Sequence, residues 1–278
     1  MDRTAAENYR RIQRGNRLQR SADALCHARR IGGLAVGTLN LFTPYGRTLA
    51  ATAAVMTVYA TDKLDGMLAR RGANLLGRPT TPEGKKLDQS VDKQTHLSIA
   101  GSQAIQAYMR GQWVFGTVIM GNLIVQRWRD GIVNSKRELA AQVALATGEP
   151  IHTGSIPSSQ RKLAAQAAAD IGTESPLAEL ASGRAALGVT HCVCTKLSIT
   201  SGAEVLDQLN AGIKDGLKIL QPRDPVDSQD DVRPDPEDSE LWHELSLLAQ
   251  TTRSERLLGR FACLLGYQDA GQSLPETA

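Results

Sequence analysis

The apolar residues of this chain gather in its middle. They concentrate between Ile31 and Ile213, whereas residues 1–30 and 221–278 are highly polar. Four segments, 31–42, 48–60, 97–109 and 113–125, are almost free of charge, and Arg47, Arg110 and Arg127 stand just beyond their ends. Their length and punctuation predict helices. The chain therefore reads as all-α. Helical spans are expected over 31–42, 46–70, 84–109 and 113–146, with a weaker one from Leu163 and a sixth that includes 185–199. Thr43-Pro44 ends the first, and Arg110-Gly111 makes a turn between the third and fourth. Residues 221–240 are dominated by Pro, Asp and Ser and are expected to form a disordered acidic linker. Helical spacing returns over 240–267 through Leu241, Leu245, Leu248, Leu257, Leu258 and Phe261. Four stretches follow: a basic N-terminal segment (1–30), a helical domain (31–220), the linker (221–240) and a C-terminal extension (241–278).

Composition sharpens this only a little. The 278 residues are 41% hydrophobic and 22% charged, an ordinary balance for a soluble protein. No stretch of about nineteen residues is cleanly apolar. Hydropathy by itself leaves a soluble helical bundle and a membrane bundle open. A net charge of +3 is too small to imply a nucleic-acid partner. Its distribution says more: Arg3, Arg10, Arg11, Arg14, Arg17 and Arg20 face only Asp2 and Glu7. Such a segment suits either an interfacial helix on anionic lipid or a solvated tail. No cleavable signal peptide is expected, because the basic region is long. Cys26, Cys192, Cys194 and Cys263 match no common zinc spacing and read as small apolar or interfacial residues of a reducing compartment.

The chemistry is concentrated in four aspartates. Asp62 and Asp65 lie three apart, and Asp88 and Asp92 four apart, so on helices each pair shares a face. Gly66 and Ala69 flank Asp65, and Gly84 lies one turn before Asp88. Two such helices facing each other would put four carboxylates around a space emptied by small residues. That cluster repels itself unless cations fill it. Hard oxygen ligands suit Mg²⁺ or Mn²⁺, and two ions in one site suit displacement at phosphorus.

The full pattern, Asp62-x-x-Asp65-Gly66-x-x-Ala69-Arg70 followed by Gly84-x-x-x-Asp88-x-x-x-Asp92, resembles the signature of the CDP-alcohol phosphotransferase family. All eight fixed positions are present. The loop between the two blocks, Arg71 to Glu83, is thirteen residues, against about eight or nine in the family. It contains Gly77, Pro79 and Pro82, as an insertion-tolerant loop would. Upstream, Ala22–Arg29 weakly resembles the family's entry segment, Pro-Asn-x-Leu-Thr-x-x-Arg, keeping Leu25 and Arg29. Downstream, Arg129, Val133 and Arg137 fit a segment of phosphatidylglycerophosphate synthases and related inositol-phosphate enzymes. Lys162 and Gln166 keep the spacing of a further family segment, in which Leu163 replaces a threonine.

The resemblance implies an integral membrane bundle of about six transmembrane helices, multi-pass in the cell membrane, with its active site toward the cytoplasm. It implies transfer of a phosphatidyl group from CDP-diacylglycerol, with release of CMP. Asp62, Asp65 and Asp88 would be the main ligands of two Mg²⁺ or Mn²⁺ ions. Asp92 would accept the proton of the attacking hydroxyl and also touch the second metal. Asp62, Gly66, Ala69, Arg70 and Gly84 would form the donor site. Arg129, Arg137 and Lys162 would hold the phosphate of the acceptor, glycerol 3-phosphate first and an inositol phosphate next, although a lipid phosphate would suit the two arginines too. A homodimer is also implied. The other class of reading is a non-catalytic membrane or interaction protein derived from the family.

Overall fold

The computed structural model describes residues 3–42, 48–77, 82–151, 157–221 and 236–267. Among these the fold is all-α. Eight helices follow in order: α1 (Arg3–Phe42), α2 (Leu49–Leu76), α3 (Pro82–Met109), α4 (Trp113–Thr147), α5 (Pro157–Thr173), α6 (Ala181–Leu220), α7 (Pro236–Leu248) and α8 (Arg253–Leu264). A short 3₁₀ turn, Pro176–Glu179, precedes α6. Two compact units divide the chain, Met1–Leu123 with Ala165–Cys192, and Ile124–Ala164 with Val193–Ala278.

In the first unit α1 packs on α2 and α3. Small residues allow this. A Cβ on Gly37 of α1 would come within 2.6 Å of the Ser98 carbonyl oxygen on α3. Gly15 and Gly72 face each other in the same way, and a Cβ on Gly72 would lie 3.1 Å from the Gly15 carbonyl. Val36, Val55, Val58 and Ile99 fill one small core, and Ala100, Ala104, Phe115, Ile119 and Leu187 another. Thr48 caps α2, accepting from the Ala51 amide at 3.1 Å. Gly77 ends the helix in the left-handed conformation, with φ of 63°. The turn expected at Arg110-Gly111 is present, with Gly111 at φ of 71°.

Much of this unit's interior is polar. Asp170 is fully buried and accepts from the Tyr59 hydroxyl, and its carboxylate lies 2.8 Å from His96 Nδ1. The Gln103 amide donates to the Asp170 carbonyl at 2.8 Å. The Asn40 amide donates to the buried Glu174 carboxylate, and the Gln106 amide to the Asn40 carbonyl. Buried polar groups need such partners, and here they link α1, α2, α3 and α5. They also lower the hydropathy of the helices that carry them. Among the described residues no helix is long and apolar enough to cross a membrane.

The second unit is held by a larger apolar core of Val133, Leu139, Val143, Ile199, Leu206, Leu209, Ile213, Leu245 and Leu258, among others. The C-terminal helices belong to it. Lys136 of α4 forms a buried ion pair with Glu255 of α8 at 3.1 Å. Glu255 also completes a capping box with Thr252. The Trp242 indole donates to the Leu217 carbonyl at 3.1 Å, and the Tyr267 hydroxyl to Asp207 at 2.7 Å.

The helices differ from the expected spans at their ends. α1 is one helix of 40 residues with no break near residue 30: no proline interrupts it, and Gly33 in the Gly32-Gly33 pair sits in a close helix contact, where a Cβ would lie 2.9 Å from Thr95. α5 starts at Pro157, a residue suited to the first helical turn, rather than at Leu163. α6 runs far past residue 199, and α7 starts at Pro236, inside the expected linker. Residues 222–235 lie outside the described residues.

Candidate active site

Helices α2 and α3 bring all four aspartates together. α2 supplies Asp62 and Asp65, and α3 supplies Asp88 and Asp92. Carboxylate oxygens of Asp62, Asp88 and Asp92 lie within 4.8 Å of one another, as do ligand atoms of Cys26, Asp65 and Asp88. The facing pairs expected from the three- and four-residue spacings are therefore present.

A residue of α1 reaches into their midst. Arg29 is only 2% exposed. Its Nη1 pairs with Asp62 and lies 3.3 Å from Asp65, while its Nη2 lies 2.7 Å from Asp88 and 2.8 Å from Asp92. One prong of the fork thus serves each helix. Burial alone would lower the Arg29 pKa, but the carboxylates of Asp92, Asp88, Asp62 and Asp65 outweigh it and hold the pKa above the ordinary arginine range. Cys26, one turn earlier, places its sulfur 3.6 Å from an Asp88 oxygen. Burial pushes its thiol up to about 12; Arg29 opposes this, and Asp88 and Asp65 reinforce it. Cys26 is therefore a protonated weak donor beside the cluster. Sequence reasoning gave neither residue a place in the site. For Arg29 the signal was present, since it is one of the two residues kept from the entry segment.

The donor set fits a hard divalent cation. Four carboxylates converge, and the buried Oδ2 atom of Asp65, in a residue only 4% exposed, takes no hydrogen bond and has the Arg29 charge 3.3 Å away. Gly66 is half-buried, and within 4 Å a Cβ there would meet only the Arg70 guanidinium, at 3.5 Å. Ala69 is half-buried, and Arg70 beside it on the same helix is exposed. Gly84 lies in the first turn of α3, and its surroundings are outside the described residues. Gly66→Leu is expected to weaken CDP-diacylglycerol binding at least about tenfold, because an isobutyl group fills space that the glycine leaves beside Arg70. The check is donor affinity at saturating Mg²⁺, and unchanged affinity would move the nucleotide elsewhere.

Behind the cluster, His96 sits one turn after Asp92 on α3 and is fixed by Asp170. With Tyr59, it ties α2 and α3 to α5. The sequence gave no spacing signal for this set, because Asp170 lies more than seventy residues from His96.

The second unit holds the other expected residues. Arg129 is buried on α4, its Nη1 donating to Asp130 at 2.7 Å. Its side chain lies against Gly202 of α6, where a Cβ would come within 2.7 Å of Arg129 Cγ. Lys162 of α5 is also buried and approaches Asp130 at 4.0 Å. Arg137, two turns beyond Arg129, has a buried Nε without a hydrogen-bond partner. Arg129 and Lys162 thus share one carboxylate.

A family model described as CDP-alcohol phosphatidyltransferase matches residues 20–160, just over half of the chain. The chain belongs to the CDP-alcohol phosphatidyltransferase family. Neither a curated protein nor a solved structure matches it. The matched region contains the four aspartates, Arg29, Arg129 and Arg137. Membership makes the protein an enzyme of phosphatidyl transfer from a CDP-linked donor to an alcohol, in a family that uses divalent metals.

Proposed function

We propose that this family member transfers the phosphatidyl group of CDP-diacylglycerol to sn-glycerol 3-phosphate, giving phosphatidylglycerophosphate and CMP. The observation that carries this reading is the convergence of Asp62, Asp65, Asp88 and Asp92 from two helices. Those four would hold the divalent ions. When bound, the ions supply charge neutralisation at the diphosphate and at the departing CMP. The chain's own residues do the rest. Asp62, Gly66, Ala69, Arg70 and Gly84 receive the cytidine diphosphate, the small residues leaving room and Arg70 meeting the diphosphate. The acceptor hydroxyl oxygen attacks the β-phosphorus, the bond from that phosphorus to the CMP oxygen breaks, and Asp92 takes the hydroxyl proton.

Arg129, Arg137 and Lys162 are the groups proposed to bind the acceptor's phosphate. Two buried cations around Asp130 and an unpartnered Arg137 Nε favour an anion there. An inositol phosphate would offer the same group. A lipid-linked donor favours work at the cell membrane, and we extend the proposal to a multi-pass homodimer with its site toward the cytoplasm; against the multi-pass part stands the low hydropathy of every described helix. Resistance of the expressed protein to carbonate extraction tests the membrane part.

The activity test uses purified protein in detergent with CDP-diacylglycerol. CMP release should require both a divalent ion and an acceptor, and glycerol 3-phosphate should outperform glycerol, inositol and inositol phosphate. CMP release with unphosphorylated alcohols alone would overturn the acceptor assignment. No CMP release with any acceptor would favour a non-catalytic interaction protein.

A further inference from the structure

Arg29 raises a question that phosphatidyl transfer by itself does not answer. The guanidinium lies in the space that four carboxylates enclose, and it binds both helix pairs at once. The Asp62, Asp88 and Asp92 oxygens that approach within 4.8 Å of one another belong to carboxylates that Arg29 engages. Among the described residues only these carboxylates and the Cys26 sulfur hold the guanidinium; the Arg29 Nε is buried and takes no partner.

Charge counting sets up a contest. Four carboxylates carry four negative charges, which two divalent ions balance alone. With Arg29 kept between them, the same space would hold one positive charge too many, and like charges so close repel strongly at low dielectric. Without Arg29 and without ions, four carboxylates would face one another unbalanced.

We propose that Arg29 is a built-in counter-cation of the aspartate cluster, which contends with divalent ions for the same carboxylates and must withdraw from at least one helix pair when they bind. This rests on reading the cluster as the divalent-ion site. Arg29 thereby stabilises the ion-free fold and weakens ion affinity, so that it sets the ion concentration at which the site assembles. It acts as a positioning residue, because withdrawal of Nη2 also frees Asp92.

The test compares the full-length protein with Arg29→Gln and Arg29→Lys after removal of metal with EDTA. Mn²⁺ affinity is measured by calorimetric titration, and melting temperature with and without Mn²⁺. Arg29→Gln should bind Mn²⁺ about tenfold more tightly or better, melt lower in EDTA, and gain more on Mn²⁺ addition than the unaltered protein. Arg29→Lys keeps the charge but not the fork, and its Mn²⁺ affinity should fall between the two. Equal or weaker Mn²⁺ binding by Arg29→Gln, with normal binding by the unaltered protein, overturns the counter-cation and leaves the metal site standing. If Arg29→Gln does not fold even with Mn²⁺, Arg29→Lys decides alone: tighter binding supports the proposal, and equal or weaker binding overturns it. If neither the unaltered protein nor any variant binds Mn²⁺, the divalent-ion reading itself fails and the counter-cation goes with it.

Discussion

Asp88→Asn should lose nearly all phosphatidyl transfer, at least about a thousandfold in kcat, while the protein still folds. The loss is chemical. An amide keeps the shape of the carboxylate but cannot bring the negative charge that a hard divalent ion demands beside a reacting phosphate. The fold persists because Arg29 retains Asp62, Asp65 and Asp92 as partners. Removing one like charge from the cluster also relieves some repulsion. Asp65→Asn should behave alike: it gives up the ion pair of its Oδ2 with Arg29 at 3.3 Å, while Arg29 keeps Asp62, Asp88 and Asp92. CMP release at saturating Mg²⁺, with a circular dichroism melt on the same sample, separates the two effects. Turnover at the unaltered rate by either variant would remove the metal-site reading.

Arg137→Ala should act on the acceptor and spare the donor. A charge-assisted contact to a phosphate is worth roughly 1.5–3 kcal/mol, so kcat/KM for glycerol 3-phosphate should fall about tenfold to more than a hundredfold. The loss should appear as a raised acceptor KM, with CDP-diacylglycerol affinity nearly unchanged. Arg137→Lys should recover only part, because the two-pronged grip is gone. Equal loss for both substrates would make Arg137 a structural or lipid-binding residue. The preference for a phosphorylated acceptor would then fall with it.

The helical fold and the convergence of the four aspartates were legible in the sequence for a simple reason. Both depend on local spacing: a helix repeats every 3.6 residues, so pairs at three and four share a face whatever lies elsewhere. The loop between Arg70 and Gly84 is longer than the family's, yet the two pairs still meet, because the added length sits between the two pairs rather than within either. What escaped notice depends on distant residues. Arg29 lies more than thirty residues from Asp62, and Asp170 more than seventy from His96. No periodicity links such partners. Helix ends were misjudged where apolar character stops but helix-compatible residues continue, as before residue 31 in α1 and after residue 199 in α6. Hydropathy marks buried faces, not the length of the hydrogen-bonded ladder.

The buried pair between Lys136 and Glu255 has a practical side. A polar, proline-rich stretch ahead of α7 invites a shortened protein that stops near residue 221. Such a cut would strip Leu245, Leu258 and Ala262 from the second core. It would also take the Glu255 carboxylate and the Ala249 carbonyl away from the Lys136 ammonium and open that charge to water. That loss falls on the same helix that carries Arg129 and Arg137. An inactive truncation would therefore report a collapsed support, and would say nothing about whether the last helices take part in recognising a substrate.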